Sequence, residues 1–252
     1  MTRISAIIIT KNEESNLPRL LRSVSWADEI VVVDSHSEDK TVEVAKQFGA
    51  QVHQMDWVGF GPAKQAAANY ATGEWLLSVD ADEEVTPELA LEIQSVVAGN
   101  GDTEGYYLPR RTSFLGRWIY HCGWYPDPVL RLFRKESGTF NDALVHERVL
   151  VTGQTAQLKN ELLHYSYPDL ELYLEKLNRY TSLGAEEAWR EGKRAGLPQM
   201  LIKPPVTFVK HFVVKLGFLD GIEGFILSIL SAMSVLIKYA KLRQLNKTKG
   251  HL

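Results

Sequence analysis

The chain has 252 residues, 45% hydrophobic, 23% charged and 10% aromatic, a composition that excludes disorder, collagen and a disulfide scaffold. Its one cysteine, Cys122, permits no internal disulfide and fits a reducing compartment. The net charge of −3 argues against nucleic-acid binding, but it is unevenly spread: residues 203–252 carry +6 and the first 202 carry −9. An acidic body followed by a basic, apolar tail suits a surface that meets anionic lipid.

Residues 1–5 hold one arginine and the apolar stretch 6–9 is too short for an export signal, which predicts a cytoplasmic protein. Residues 4–10 form a β-branched, continuously apolar run ended by Lys11-Asn12-Glu13-Glu14, the pattern of a strand buried on both faces, as in a parallel sheet. Leu17, Leu20, Leu21 and Val24 then recur at helical spacing, with Pro18 near the start. Residues 29–34 read as a second buried strand, 41–48 as a helix stopped by Gly49, 50–54 as a third strand, 63–71 as a helix closing at Gly73, and 74–80 as a fourth strand. This alternation predicts an α/β fold with an open, mostly parallel, Rossmann-like sheet and ligands gathered at the carboxyl ends of its strands.

From Gly105 the texture changes to alternating, aromatic-rich segments at 106–109, 118–121, 129–133, 145–151 and 158–164. They predict a mixed β second half, with Thr152-Gly153-Gln154 as a hairpin turn between the last two. Residues 170–195 are periodic and helical. Gly196, Pro198 and Pro204-Pro205 then interrupt, and apolar helices are expected at 206–216 and 221–244. The uncharged stretch 224–237 has 14 residues, whereas a bilayer span takes about 20, so an interfacial or buried helix is expected. The expected division is a catalytic domain at 1–168 and a C-terminal helical, membrane-associating appendage at 169–252.

Neither GxGxxG nor GxxxxGK[ST] occurs, which disfavours a dinucleotide enzyme or a P-loop NTPase. The sharpest chemical signal is Asp80-Ala81-Asp82-Glu83-Glu84 at the end of the fourth strand. Carboxylates so crowded repel unless something positive neutralises them, and a divalent cation, Mg²⁺ or Mn²⁺, is the natural candidate. The alternative is that Asp82, Glu83 and Glu84 simply favour the start of the helix from Thr86. Asp34 has a comparable alternative as a cap of the next turn.

Four motifs in order resemble the inverting GT-A glycosyltransferases of family 2: Thr10-Lys11-Asn12-Glu13-Glu14, Val33-Asp34-Ser35, the stretch 61–75, and Asp80-Ala81-Asp82. The resemblance implies that Glu13 and Asp34 bind the uridine of a UDP-sugar, with Thr10 and Asn12 beside them, that Asp80 meets the ribose, and that Asp82 ligates the metal. Lys64 matches a basic residue and implies a nucleotide or phosphate contact. Later motifs, Gly123-Trp124-Tyr125-Pro126-Asp127, Leu130-Arg131-Leu132-Phe133, Val145-His146-Glu147, Leu163-His164-Tyr165 and Gly217-Phe218-Leu219-Asp220-Gly221, resemble the bacterial subgroup that includes lipopolysaccharide core β-1,4-glucosyltransferases. That implies transfer of glucose from UDP-glucose to a lipid-linked saccharide, such as an inner-core heptose, by a protein peripheral on the cytoplasmic face of the inner membrane.

An inverting transfer needs a general base for the acceptor hydroxyl. Glu147 is the first candidate and Asp127 the second. Against these, Asp127 could be a turn aspartate and Glu147 a partner of Arg131 or Arg148. His164 is a candidate metal ligand, or else a structural histidine. Trp118, Tyr120, Trp124 and Tyr125 form either an acceptor wall or core. A nucleotidyltransferase, disfavoured by the acidic first loop, and a non-catalytic membrane-bound adaptor that keeps a sugar-nucleotide pocket are the rival readings.

Overall fold

The computed structural model describes residues 2–99, 101–141 and 148–249. In chain order the elements are β1 Ile4–Thr10, α1 Leu17–Ser23, β2 Glu29–Asp34, α2 Thr41–Gln47, β3 Gln51–Gln54, α3 Phe60–Tyr70, β4 Trp75–Ser78, β5 Glu83–Val85, α4 Pro87–Ala98, β6 Thr103–Phe114, β7 Arg117–Trp118, β8 Asp127–Arg134, β9 Gly138–Phe140, β10 Val149–Val151, β11 Gln154–Gln157, β12 Leu162–Tyr167, α5 Leu170–Arg190, α6 Leu197–Val209 and α7 Gly221–Lys249. A π-helical turn, Lys210–Val214, and a 3-10 turn, Gly217–Asp220, join α6 to α7.

The main sheet runs β3-β2-β1-β4-β8-β6-β12-β5, with β7 and β11 also paired to β6; β9 and β10 form a separate ladder. Its first half is parallel, with β1 between β2 and β4. From β8 onward antiparallel pairings enter. The fold is therefore α/β, with a parallel first half, a mixed β second half and C-terminal helices, as the sequence predicts. The continuous apolar runs of β1 and β2 are buried because helices cover both faces: Ile8 and Val32 pack with Leu17 and Leu20, Ile7 and Val33 with Ala67 and Ala68.

Three expectations of local structure change. Gly153 does not close a hairpin: β10 pairs with β9, while β11 joins β6 in parallel. Pro204 and Pro205 do not interrupt; they lie inside α6, which starts at Leu197 with Pro198 in its first turn. Packing of α6 on α7 outweighs the lost backbone bonds, and the Thr207 hydroxyl donates to the Lys203 carbonyl at 2.9 Å. The strand expected at 118–121 ends at Trp118, because the Tyr120 and His121 N–H groups donate to the buried Asp220 carboxylate, at 3.2 and 2.8 Å, rather than to a neighbouring strand.

The chain divides into two compact units. One comprises Met1–Arg110 with Asp127–His164, the other Arg111–Pro126 with Tyr165–Leu252.

Candidate active site

In the first unit the polar loops lie where a parallel sheet places ligands, after β1, β2 and β4. Thr10 sits beside Asp34 in the β1–β2 register, and its hydroxyl donates to Asp34 Oδ1 at 3.1 Å. Asp34 is wholly buried. Its carboxylate also accepts from the Ser37 hydroxyl at 2.5 Å and the Ser37 N–H at 2.9 Å, so it closes the turn toward α2. Asn12, at φ 57°, knits the same two loops: its N–H donates to Ser37 Oγ at 2.8 Å and its Oδ1 accepts from the Glu38 N–H at 2.9 Å. The Glu13 N–H donates to Thr41 Oγ1 at 2.7 Å, and Glu13 Oε2 accepts from Asn16. Thr10, Asn12, Glu13 and Asp34 thus belong to one cross-linked loop pair.

The acidic loop after β4 is neutralised differently from the sequence expectation. Lys64, 4% exposed on α3, reaches Asp80 Oδ1 at 2.8 Å, and Arg131 on β8 pairs with Asp80 Oδ2. Arg131 also meets Glu83 Oε1 at 2.8 Å, and Arg110 on β6 approaches the same oxygen at 3.3 Å. The Asp80 N–H donates to Glu83 Oε2 at 2.9 Å. Burial alone would raise the Asp80 pKa, but the adjacent Arg131 and Lys64 charges outweigh it and hold the carboxyl well below the usual range. Burial likewise works against charge on Arg131, and Asp80 and Glu83 overcome it. Asp80 and Glu83 are therefore compensated by protein cations, and Glu83 is a buried strand residue rather than a helix-start charge.

Asp82 meets a histidine. Its Oδ2 lies 3.3 Å from His164 Nε2, with His164 opposite Glu83 in the β12–β5 ladder. Two donor atoms bound to one Mg²⁺ or Mn²⁺ ion at distances near 2.1 Å are roughly 3 Å apart, so this pair could hold such an ion. Among the described residues no cluster of three or more His, Cys, Asp or Glu could hold a metal by itself.

Asp127 opens β8 and accepts from Arg110 Nε at 3.1 Å and Nη2 at 2.6 Å, both on Oδ2. Its side chain remains 44% exposed. Glu147 lies outside the described residues. In the second unit Tyr120 is exposed and, with Trp118, flanks the Arg111 guanidinium at 4.9 and 5.2 Å. Trp124 instead packs against Phe114 and Tyr167 in that unit's core. Cys122 is buried, and burial pushes its thiol pKa up, which suits no nucleophile.

Arg110, Arg131 and Glu83 carry no site role in the sequence reading. The available signal was an arginine inside the apolar run Val129–Phe133, since a charge there is buried only if paired.

A parallel α/β sheet with polar loops after β1, β2 and β4, continued by mixed β structure, defines the GT-A glycosyltransferase class. The family model of glycosyl transferase family 2 matches residues 5–149, and the chain belongs to that family. It is 31% identical to an uncharacterized glycosyltransferase of Rickettsia typhi over 98% of this chain and 88% of the relative. It is 28% identical to the lipopolysaccharide core biosynthesis glycosyltransferase LpsC of Rhizobium meliloti over 98% and 94%. Among solved structures, a mycobacterial protein at 18% identity superposes with a TM-score of 0.51 over 73% of this chain and 74% of that one, a likeness of fold.

Proposed function

We propose that this glycosyltransferase moves a hexose, glucose first, from a UDP-sugar to a lipid-linked saccharide such as the inner-core heptose of lipopolysaccharide, with inversion, at the cytoplasmic face of the membrane. The observation that carries the reading is that the polar loops after β1, β2 and β4 leave the same edge of the parallel sheet, the last of them with the clamped Asp80 and the Asp82–His164 pair. The named role of the relative LpsC supports the acceptor class.

Thr10, Asn12, Glu13 and Asp34 supply a rigid edge for the uridine, and Asp80, held ionised by Lys64 and Arg131, accepts from ribose hydroxyls. Asp82 and His164 would hold Mg²⁺ or Mn²⁺, which when bound neutralises the departing diphosphate. Glu147 or Asp127 takes the acceptor hydroxyl's proton while that oxygen attacks the anomeric carbon from the face opposite the leaving group. For Asp127, Arg110 occupies Oδ2 and so orients Oδ1 for the proton. An apolar, basic C-terminal region would keep the enzyme at anionic lipid, peripheral on the inner face.

A panel of nucleotide sugars read by thermal shift, then by UDP release with Mn²⁺, tests this. A UDP-sugar at 100 times its Kd stabilises by about 2.7 kcal/mol, and UDP-glucose should lead. Stabilisation without UDP release in the presence of a lipid-linked acceptor would favour the adaptor, and no response to any UDP-sugar would overturn the donor.

A further inference from the structure

The Gly217-Phe218-Leu219-Asp220-Gly221 motif is built into the second unit as a fixed protrusion. Asp220 is buried and accepts from the Tyr120 and His121 N–H groups, and His121 Nδ1 lies 2.9 Å from Oδ1. A Cβ on Gly217 would lie 2.6 Å from Cys122 Sγ, and one on Gly224 would lie 2.0 Å from the Gly217 carbonyl oxygen. Only glycine fits at either joint. This clasp holds Phe218 and Leu219 half in water, the opposite of what burial of apolar surface favours.

The neighbouring helices repeat the pattern. On α7, Ile222, Phe225, Ile229, Met233 and Leu236 recur every three or four residues and are exposed, Ile222 at 72%. Gly224, Leu227, Ser228 and Leu230 form its buried face. On α6, Leu201, Ile202, Val206 and Val209 are exposed, as are Val213 and Val214 in the π-helical turn. The rings of Phe208, Phe212, Phe218 and Phe225 touch one another with centroids 5.4–6.2 Å apart. These exposed residues, joined by the ring contacts, make an apolar face of the kind that marks an interaction surface.

Charge identifies the occupant. From Gly192 to Leu219 there are five Lys or Arg and no Asp or Glu. Of the nearest acids, Glu191 pairs with Lys193 at 2.5 Å, Asp220 is buried, and Glu223 lies 3.8 Å from Arg117. A second copy of the same face would set lysines against lysines, whereas anionic headgroups complement them.

We infer that α6, the two short turns and the exposed stripe of α7 form a face that docks flat on an anionic lipid surface. It deepens the membrane association of the proposed function and rests on that reading for its purpose. By length and composition the segment Gly217–Thr248 is apolar enough to cross a bilayer. It lies sideways instead, because its other face packs on α5 and Lys241 Nζ donates to the Asn178 carbonyl and the Ser182 hydroxyl at 2.8 Å each. A span would carry that polar helix into hydrocarbon.

The test is flotation of the full chain with vesicles of phosphatidylcholine alone or mixed with phosphatidylglycerol. Wild type should bind the anionic vesicles, less so as salt rises. The double variant Val214→Ser, Leu219→Ser and, separately, Lys210→Gln with Lys215→Gln should each weaken binding at least tenfold. Leu91→Ser, on the first unit and at least as exposed, should bind like wild type, with thermal melts confirming that all are folded. Failure of wild type to bind, or binding by the double variant equal to wild type, overturns the inference. So does sedimentation as a dimer that the double variant splits without loss of vesicle binding. None of these outcomes depends on which sugar nucleotide is the donor, so failure here is distinguishable from failure of the proposed reaction.

Discussion

Arg131→Met isolates the feature that organises the candidate site. Arg131 is almost fully buried and lies 2.8 Å from Glu83 while also pairing with Asp80. At an effective dielectric near 20, a unit charge pair at that distance has a gross attraction of about 6 kcal/mol, before the cost of desolvating both ions. Removing one partner of a buried pair costs about 3–5 kcal/mol because the other charge stays buried. Lys64 still compensates Asp80, and Arg110 still approaches Glu83 at 3.3 Å, so the lower end, about 3 kcal/mol, is expected. For a chain of this size that lowers Tm by about 6–12 °C. Adding Glu83→Gln removes the uncompensated charge and should recover part of the loss. Urea denaturation of the single and double variants measures both. Arg131→Met within 1 kcal/mol of wild type, or a double variant no more stable than the single, would refute the view that Arg131 neutralises this loop.

Asp82→Ala should abolish UDP release across a Mn²⁺ titration while leaving the melt near wild type, since the side chain is partly exposed; near-normal turnover would remove Asp82 from the metal site. Glu147→Gln and Asp127→Asn separate the two candidate bases. The true one should lose about 10² to 10⁴ in rate with donor affinity retained, and wild-type rates in both variants would exclude both. Glu29 is a stability probe away from the site. Burial works to raise its pKa, but hydrogen bonds from the Ser5 hydroxyl and the Thr72 N–H and hydroxyl, with the Arg3 charge, lower it below 4.5 overall. Its contribution is therefore complete above about pH 4.5 and lost as pH falls through the lower folded value. Glu29→Gln should flatten the fall of urea stability with acid in that window, and an unchanged slope would argue against a depressed Glu29.

The sequence alone determined the first half of the fold and marked which strand ends carry the candidate site. Continuous apolar runs such as Ile4–Thr10 and Glu29–Asp34 can be satisfied only by burial on both faces, and polar clusters at their ends mark the ligand side of a parallel sheet. These are local signals, carried within each segment. Only the tertiary structure decided what each charge meets. Arg131 is 51 residues from Asp80 and 48 from Glu83, and a strand's own periodicity does not name its cross-sheet partner. The same holds for Gly153, where turn chemistry was right for a bend but pairing went to β6, and for Pro204-Pro205, where contact with α7 overrode the local preference against helix. The exposed apolar face was hidden for a related reason: helical spacing shows that residues share a side, and only packing shows which side is covered.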